Sequence, residues 1–353
     1  PTLVHVVTKK GKGFAPAEAD PIAYYAPSPT FDVVSGRIQA PERKVPSYSD
    51  VLTDTMIKLA EDDPRIIAVT AAMLEGTKLK RFQARFPDRT FDVGMAEEHA
   101  VTFAAGAASL GLRPVVAMYS TFLQRGYDQV MHDVCLQHLP VTLTLDRAGL
   151  VGEDGPTHHG VFDIPLLRPV PGLVMMQPGD EAELARMLYT AVRLRKPVAI
   201  RYPRGAGRGV PIPESLSELP FGRAEVLRPG DEVQIWALGD MIPLGEKAAD
   251  LIGRQTGLKV GLVNPRFISP LDEGLLAEQA RTAKVLVTIE NGLVKGGFGS
   301  AVEESLSAGR SSCRILKFGW PDQFIPHGAQ DTLMSKFGLT AEAVAAAVRT
   351  VLP

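Results

Sequence analysis

A chain of 353 residues exceeds what one hydrophobic core usually serves and implies two domains of about 100 to 200 residues, with an additional piece. Its 45% hydrophobic and 22% charged residues are those of a globular protein, and a net charge of -2 with both signs interspersed argues against a nucleic-acid binder. Cys135 and Cys313 stand too far apart in sequence for a CxxC site, and no run of about 18 apolar residues or basic-then-apolar start is present, so a cytoplasmic protein that meets no membrane is expected.

Residues 2–7 form an apolar, strand-like run, as in a chain that begins inside a domain, and the start is expected not to be native. Residues 16–46 carry frequent Pro and little periodicity, which predicts a surface connection. From Ser47 the spacing of Val51, Leu52, Met56 and Ile57 predicts a helix that Pro64 ends, followed by a strand at 66–70. Alternation continues with a helix at 80–86, a strand at 90–93, a helix at 96–110, a strand at 114–118, a helix at 126–138 and a strand at 141–145. Strands separated by helices of this length predict parallel βαβ units and a doubly wound sheet ending near Arg204. Gly, Pro and Ser dominate 205–219, and beyond them strands at 233–238, 259–263, 285–289 and 312–317 alternate with helices at 242–255, 271–281, 299–308 and 341–351. The domains expected are therefore 1–46 as a remnant and linker, 47–205, a linker at 206–219, and 220–353.

Chemistry concentrates after successive strands. Glu97, Glu98 and His99 open an otherwise apolar helix, where acids serve the helix dipole in most proteins. One strand later come Tyr119, Phe122 and Arg125, at a strand end where α/β folds place ligands. After the next strand, residues 146–163 bring Asp146, Arg147, Glu153, Asp154, His158, His159 and Asp163. A metal site from Glu153, Asp154, His158 and His159 is disfavoured, because neighbours in one loop converge poorly on one ion.

These segments, with Arg201-Tyr202-Pro203-Arg204-Gly205, Gly297-Phe298-Gly299 and residues 321–328, resemble the 1-deoxy-D-xylulose-5-phosphate synthase family of the transketolase superfamily, in its C-terminal part. The resemblance implies an α/β fold: a transketolase-like pyrimidine-binding domain, doubly wound on a mainly parallel sheet, plus a smaller α/β transketolase C-terminal domain. It implies thiamine diphosphate and Mg²⁺, with pyruvate and glyceraldehyde 3-phosphate condensing to 1-deoxy-D-xylulose 5-phosphate and CO2, the first step of non-mevalonate isoprenoid synthesis that also feeds thiamine and pyridoxal. A homodimer is implied, with residues 220–353 mainly supporting its contacts.

Carried over by residue, the resemblance makes Glu97 the carboxyl that hydrogen-bonds N1′ of the aminopyrimidine and Phe122 the ring stacked on it. Tyr119, Arg147 and Arg204 take the substrate phosphate, for which the arginine fork suits. Asp154 and His158 contact the aldehyde and its hydroxyl, and Arg125 faces pyruvate. Lys10 and Tyr25 approach the cofactor, Tyr25 where the family usually has His; Leu74 and Lys78 replace a usual Arg and Gly. The Gly-Asp-Gly and following Asn that hold magnesium in the family do not occur in these residues, so no metal ligand is assigned and the chain alone is expected to be inactive. The competing readings are a separately encoded small subunit of a transketolase or 2-oxoacid dehydrogenase, and a non-catalytic dimerisation module.

Overall fold

The computed structural model describes residues 1–21, 24, 32, 34–37, 45–308 and 313–352. The chain divides into residues 1–44 and 45–353, each compact in itself. In the first unit, residues 2–7 are not a strand: Leu3 is 93% exposed, and among the described residues no strand pairs with this run. Apolar sequence alone cannot make a strand whose backbone groups find no ladder partner. Within the segment predicted to be irregular, Pro16 starts a short helix, α1 (Ala15–Ala19), and Glu18 accepts the Gly13 N–H at 3.0 Å. Lys10 lies exposed in the turn just before it, and Tyr25 lies outside the described residues.

The second unit opens with α2 (Tyr48–Asp62), begun by a capping box in which Ser47 Oγ accepts the Asp50 N–H and the Asp50 carboxylate accepts the Ser47 N–H. There follow β1 (Ile66–Thr70), α3 (Lys80–Arg85), β2 (Thr90–Asp92), α4 (Glu97–Ser109) and β3 (Arg113–Tyr119). The helix predicted at 126–138 is instead a composite: a 3₁₀ stretch Ser120–Gly126, one turn α5 (Tyr127–Gln129) and a π-helical turn Val130–Cys135. The apolar spacing is helical, but the wider turn registers one residue more, a departure that periodicity does not reveal. Then come β4 (Thr142–Asp146), α6 (Asp163–Leu167), β5 (Val174–Met176), α7 (Glu181–Leu194) and β6 (Val198–Arg201). Residues 206–219 carry no helix or strand.

The remainder supplies β7 (Glu225–Arg228), β8 (Val233–Ala237), α8 (Ile242–Thr256), β9 (Val260–Asn264), β10 (Phe267–Ser269), α9 (Glu273–Thr282), β11 (Val285–Leu293), α10 (Phe298–Ala308), β12 (Arg314–Trp320), α11 (Gln330–Lys336) and α12 (Ala341–Val351). Two sheets result, ordered β10-β5-β6-β4-β3-β1-β2 and β12-β11-β8-β9-β7. All pairings are parallel except β10 on β5 and β7 on β9, both edge strands. β10 follows the second sheet's β9 in sequence yet pairs in the first, and one core runs from Val116 and Leu143 through to Trp236 and Phe298.

In the first sheet the chain leaves β1 for β2 on one side and returns to β3 on the other, which makes the β1/β3 boundary the switch point where such sheets hold ligands. In the second sheet β8 and β11 are the corresponding pair. Lys78, where the resemblance implies Gly, has φ +65°, the left-handed backbone that Gly adopts without strain.

Candidate active site

Glu97 begins α4, whose N-cap Ala96 offers no side chain to the free N–H groups. Its side chain is buried, 5% of the residue remaining exposed, and Oε2 has no hydrogen-bond partner. The nearest cation is Arg125, its Nη1 3.9 Å from Glu97 Oε2, with an Arg125 side chain 67% exposed. A buried polar atom without a hydrogen-bond partner costs about 1–3 kcal/mol, which makes Glu97 Oε2 a candidate for bonding a ligand.

The turn after β3 carries Phe122, which lies nearly parallel to Tyr119 (centroids 5.5 Å apart, 21° between planes) and meets His158 edge-on at 5.4 Å. Phe122, Arg125, Thr157, Phe162 and Phe324 line a cleft of about 430 Å³. The Arg147 guanidinium stacks on the Tyr119 ring at 3.7 Å. Burial raises the Tyr119 phenol above its ordinary pKa, with the Arg147 charge opposing the shift. Gly76, in the turn after β1, leaves room for the Tyr119 hydroxyl: a Cβ there would sit 1.9 Å from it.

Arg147 has φ +60°, and its Nε is buried without a hydrogen bond. Asp154 stands between the two arginines, 2.9 Å from Arg204 Nη1 and 3.9 Å from Arg147 Nε. His158 shares a 2.9 Å hydrogen bond with the Thr157 hydroxyl. His159 is internal: its Nδ1 accepts the Val151 N–H at 3.2 Å, so Nε2 carries the proton toward the Pro326 carbonyl at 3.2 Å. Desolvation lowers its pKa, and with both ring nitrogens engaged by backbone it is poorly placed as a metal ligand. Among the described residues no group of three or more His, Cys, Asp or Glu side chains could hold a metal ion.

The fold therefore brings Glu97, Tyr119, Phe122, Arg125, Arg147, Asp154, His158 and Arg204 to the ends of β2, β3, β4 and β6. Gly76 and Phe162 carry no distinguishing signal in the sequence, and a network of buried polar groups lies beneath these loops. Arg201, fully buried, donates from Nε to Asp163 Oδ2 at 2.9 Å, from Nη1 to Gln177 and from Nη2 to the Asn291 carbonyl at 2.9 Å. Asp163 Oδ2 also accepts the Ser120 hydroxyl at 2.9 Å. An Arg inside an apolar strand was the one signal available for this network.

The family described as "Transketolase, pyrimidine binding domain" matches residues 44–209, and "Transketolase, C-terminal domain" matches residues 222–344. A solved chain described as a split gene transketolase, inactive beta4 tetramer, is 30% identical with a TM-score of 0.75, and the alignment covers 87% of this chain and 98% of that one. The chain belongs to the transketolase family. Within it, the chain is similar to the 1-deoxy-D-xylulose-5-phosphate synthase of Desulforudis audaxviator, 53% identical over 345 residues, which are 98% of this chain and 54% of the relative. It is also similar to the synthase of that name from Syntrophotalea carbinolica, 51% identical over 352 residues, 100% of this chain and 55% of the relative. The chain thus spans about half the length of the curated relatives it matches.

Proposed function

We propose that this chain supplies the pyrimidine-binding half of a thiamine diphosphate site, in an enzyme that condenses pyruvate with glyceraldehyde 3-phosphate to 1-deoxy-D-xylulose 5-phosphate and CO2. The observation that carries this is the Glu97 Oε2 atom, buried and without a hydrogen-bond partner, 3.9 Å from the Arg125 guanidinium that lines the cleft with Phe122. Glu97 and Phe122 fit an aminopyrimidine, a flat heteroaromatic ring with a nitrogen for the carboxyl to bond. When bound, the cofactor supplies an electron sink for the carbon that loses CO2.

Glu97 hydrogen-bonds the ring nitrogen through Oε2 and so favours one pyrimidine tautomer. Phe122 orients the ring by stacking, a contact worth about 0.5–1.5 kcal/mol beyond burial. Arg125 faces the pyruvate carboxylate. Tyr119, Arg147 and Arg204 take the phosphate, which replaces Asp154 as the partner of Arg204 and frees that carboxylate, with His158, to hold the aldehyde and hydroxyl. Lys10 and Tyr25 are assigned to the cofactor on the resemblance alone. Magnesium would hold the diphosphate from ligands outside the described residues.

The boundaries 47–205 and 220–353, a homodimer, a cytoplasmic location and entry into isoprenoid and thiamine synthesis complete the proposal. No helix among the described residues is long and apolar enough to cross a membrane. A second reading, one subunit of an enzyme encoded in two pieces, is favoured by the 98% coverage of the split gene transketolase chain.

The test is Glu97→Ala in the assembled enzyme, with product formation from [2-13C]pyruvate followed by NMR. The expected loss is about 10²-fold or more, the scale of a positioned proton-transfer group. Activity within threefold of the unsubstituted enzyme would overturn the proposal.

A further inference from the structure

We infer that Asn291, on β11 of the second sheet, is a positioning residue for the substrate phosphate, acting through the Arg147 loop. This rests on the proposed role of Arg147 as a phosphate ligand. Asn291 Oδ1 accepts the backbone N–H of Leu150 at 2.9 Å and the indole N–H of Trp320 at 2.8 Å. Its Nδ2 donates to Asp240 Oδ2 at 2.7 Å, and its backbone oxygen takes the Arg201 guanidinium. Every polar atom of the amide is thereby engaged, and the side chain cannot rotate without breaking a buried bond.

The loop side is equally constrained. Gly149 has φ +77°, and a Cβ there would lie 2.3 Å from the Asn291 amide carbon, so the backbone passes directly over the amide. Two residues before it, Arg147 holds a left-handed φ, which a side-chain-bearing residue keeps only when its surroundings over-determine it. Pinning Leu150 from below supplies that constraint and fixes where the guanidinium rests on Tyr119. Asp240 in turn accepts from Gln177 at 2.7 Å, and Gln177 accepts from Arg201, which reaches Ser120 through Asp163. The second sheet thus holds the Arg147 loop through Asn291, while Arg201 and Asp163 hold the Phe122 turn. Asn291 borders a cavity that Arg204 also lines, but its side-chain oxygen and nitrogen are both engaged by protein groups.

The variants are Asn291→Ala, Gly149→Ala and, as control, Trp320→Phe, which removes the other donor to Oδ1 and leaves the Leu150 bond. Hydrogen exchange of the Leu150 amide is followed in each chain, and KM for each substrate and kcat in the assembled enzyme. We expect Asn291→Ala and Gly149→Ala to speed Leu150 exchange at least tenfold and to raise KM for the phosphorylated aldehyde about tenfold, with KM for pyruvate within twofold. Trp320→Phe should lower thermal stability and leave both KM values within twofold. Equal KM shifts in Asn291→Ala and Trp320→Phe would reduce Asn291 to a structural residue and overturn the inference, as would Leu150 exchange unchanged by Asn291→Ala. If the unsubstituted enzyme does not condense these substrates, the proposed function fails and the phosphate role with it; faster Leu150 exchange in Asn291→Ala alone would then support only the hold on the loop.

Discussion

Replacing Arg201 by Met tests how firmly the buried network ties the two sheets. The guanidinium is fully buried, and its loss leaves the Asp163 carboxylate with only the Ser120 hydroxyl and the Ile164 N–H as donors. Gln177 Oε1 and the Asn291 carbonyl lose a donor at the same time. Removing one partner of a buried ion pair costs about 3–5 kcal/mol, because the remaining charge keeps its desolvation penalty without compensation. Arg201→Met/Asp163→Leu removes both charges and should recover at least half of that loss, since an apolar pair of similar volume is often neutral or better. Urea unfolding followed by circular dichroism gives the comparison, using midpoints at an unchanged m value. A single substitution costing under about 1 kcal/mol, or a double variant losing the sum of both singles, would refute this reasoning.

Three further outcomes follow from the same geometry. Glu290 is buried and accepts the N–H groups of Phe298 and Gly299 at 2.8 Å each; burial, outweighing those bonds, raises its pKa to about 7 from an ordinary 4.5. Between those values the native chain binds more protons than the unfolded one, so stability falls as pH rises, by about 1.4 kcal/mol per unit and about 3 kcal/mol across the window. Glu290→Gln should flatten this slope in urea midpoints taken from pH 5 to 8, and an unchanged slope would count against the assignment. Gly76→Ala should push the Tyr119 ring off the Arg147 guanidinium and raise KM for the phosphorylated aldehyde, while costing under about 1 kcal/mol because the obstacle is the end of a side chain. Equal KM values in Gly76→Ala and the unsubstituted enzyme would mean that Tyr119 is not held for the phosphate. Lys78→Gly should change stability by less than about 1 kcal/mol, the relief of a left-handed φ being offset by the unfolded-state entropy of Gly; a loss of 2 kcal/mol by thermal unfolding would show a role for the Lys78 side chain.

The sequence carried the alternation of strands and helices well because buried parallel strands are written as apolar runs, as at 66–70 and 285–289. It misled at residues 2–7, where the same apolar signal lacks a ladder, and at 130–135, where a π turn has the helical spacing of apolar residues. The edge strands β7 and β10 escaped notice because each is short and antiparallel, set by tertiary pairing rather than local pattern. The loop residues were legible through type: charged and aromatic side chains at strand ends. Asn291 and Gly76 were not, since each depends on a neighbour 29 or more positions away, as Asn291 does on Leu150, 141 residues off.

The most direct measurement is turnover of [2-13C]pyruvate by the assembled enzyme of the proposal, with thiamine diphosphate and magnesium, and with glyceraldehyde 3-phosphate and unphosphorylated glyceraldehyde as alternative acceptors. The account predicts labelled 1-deoxy-D-xylulose 5-phosphate, a marked preference for the phosphorylated acceptor, and loss of that preference in Arg147→Ala. Equal use of both acceptors, or a preference that survives Arg147→Ala, would contradict it.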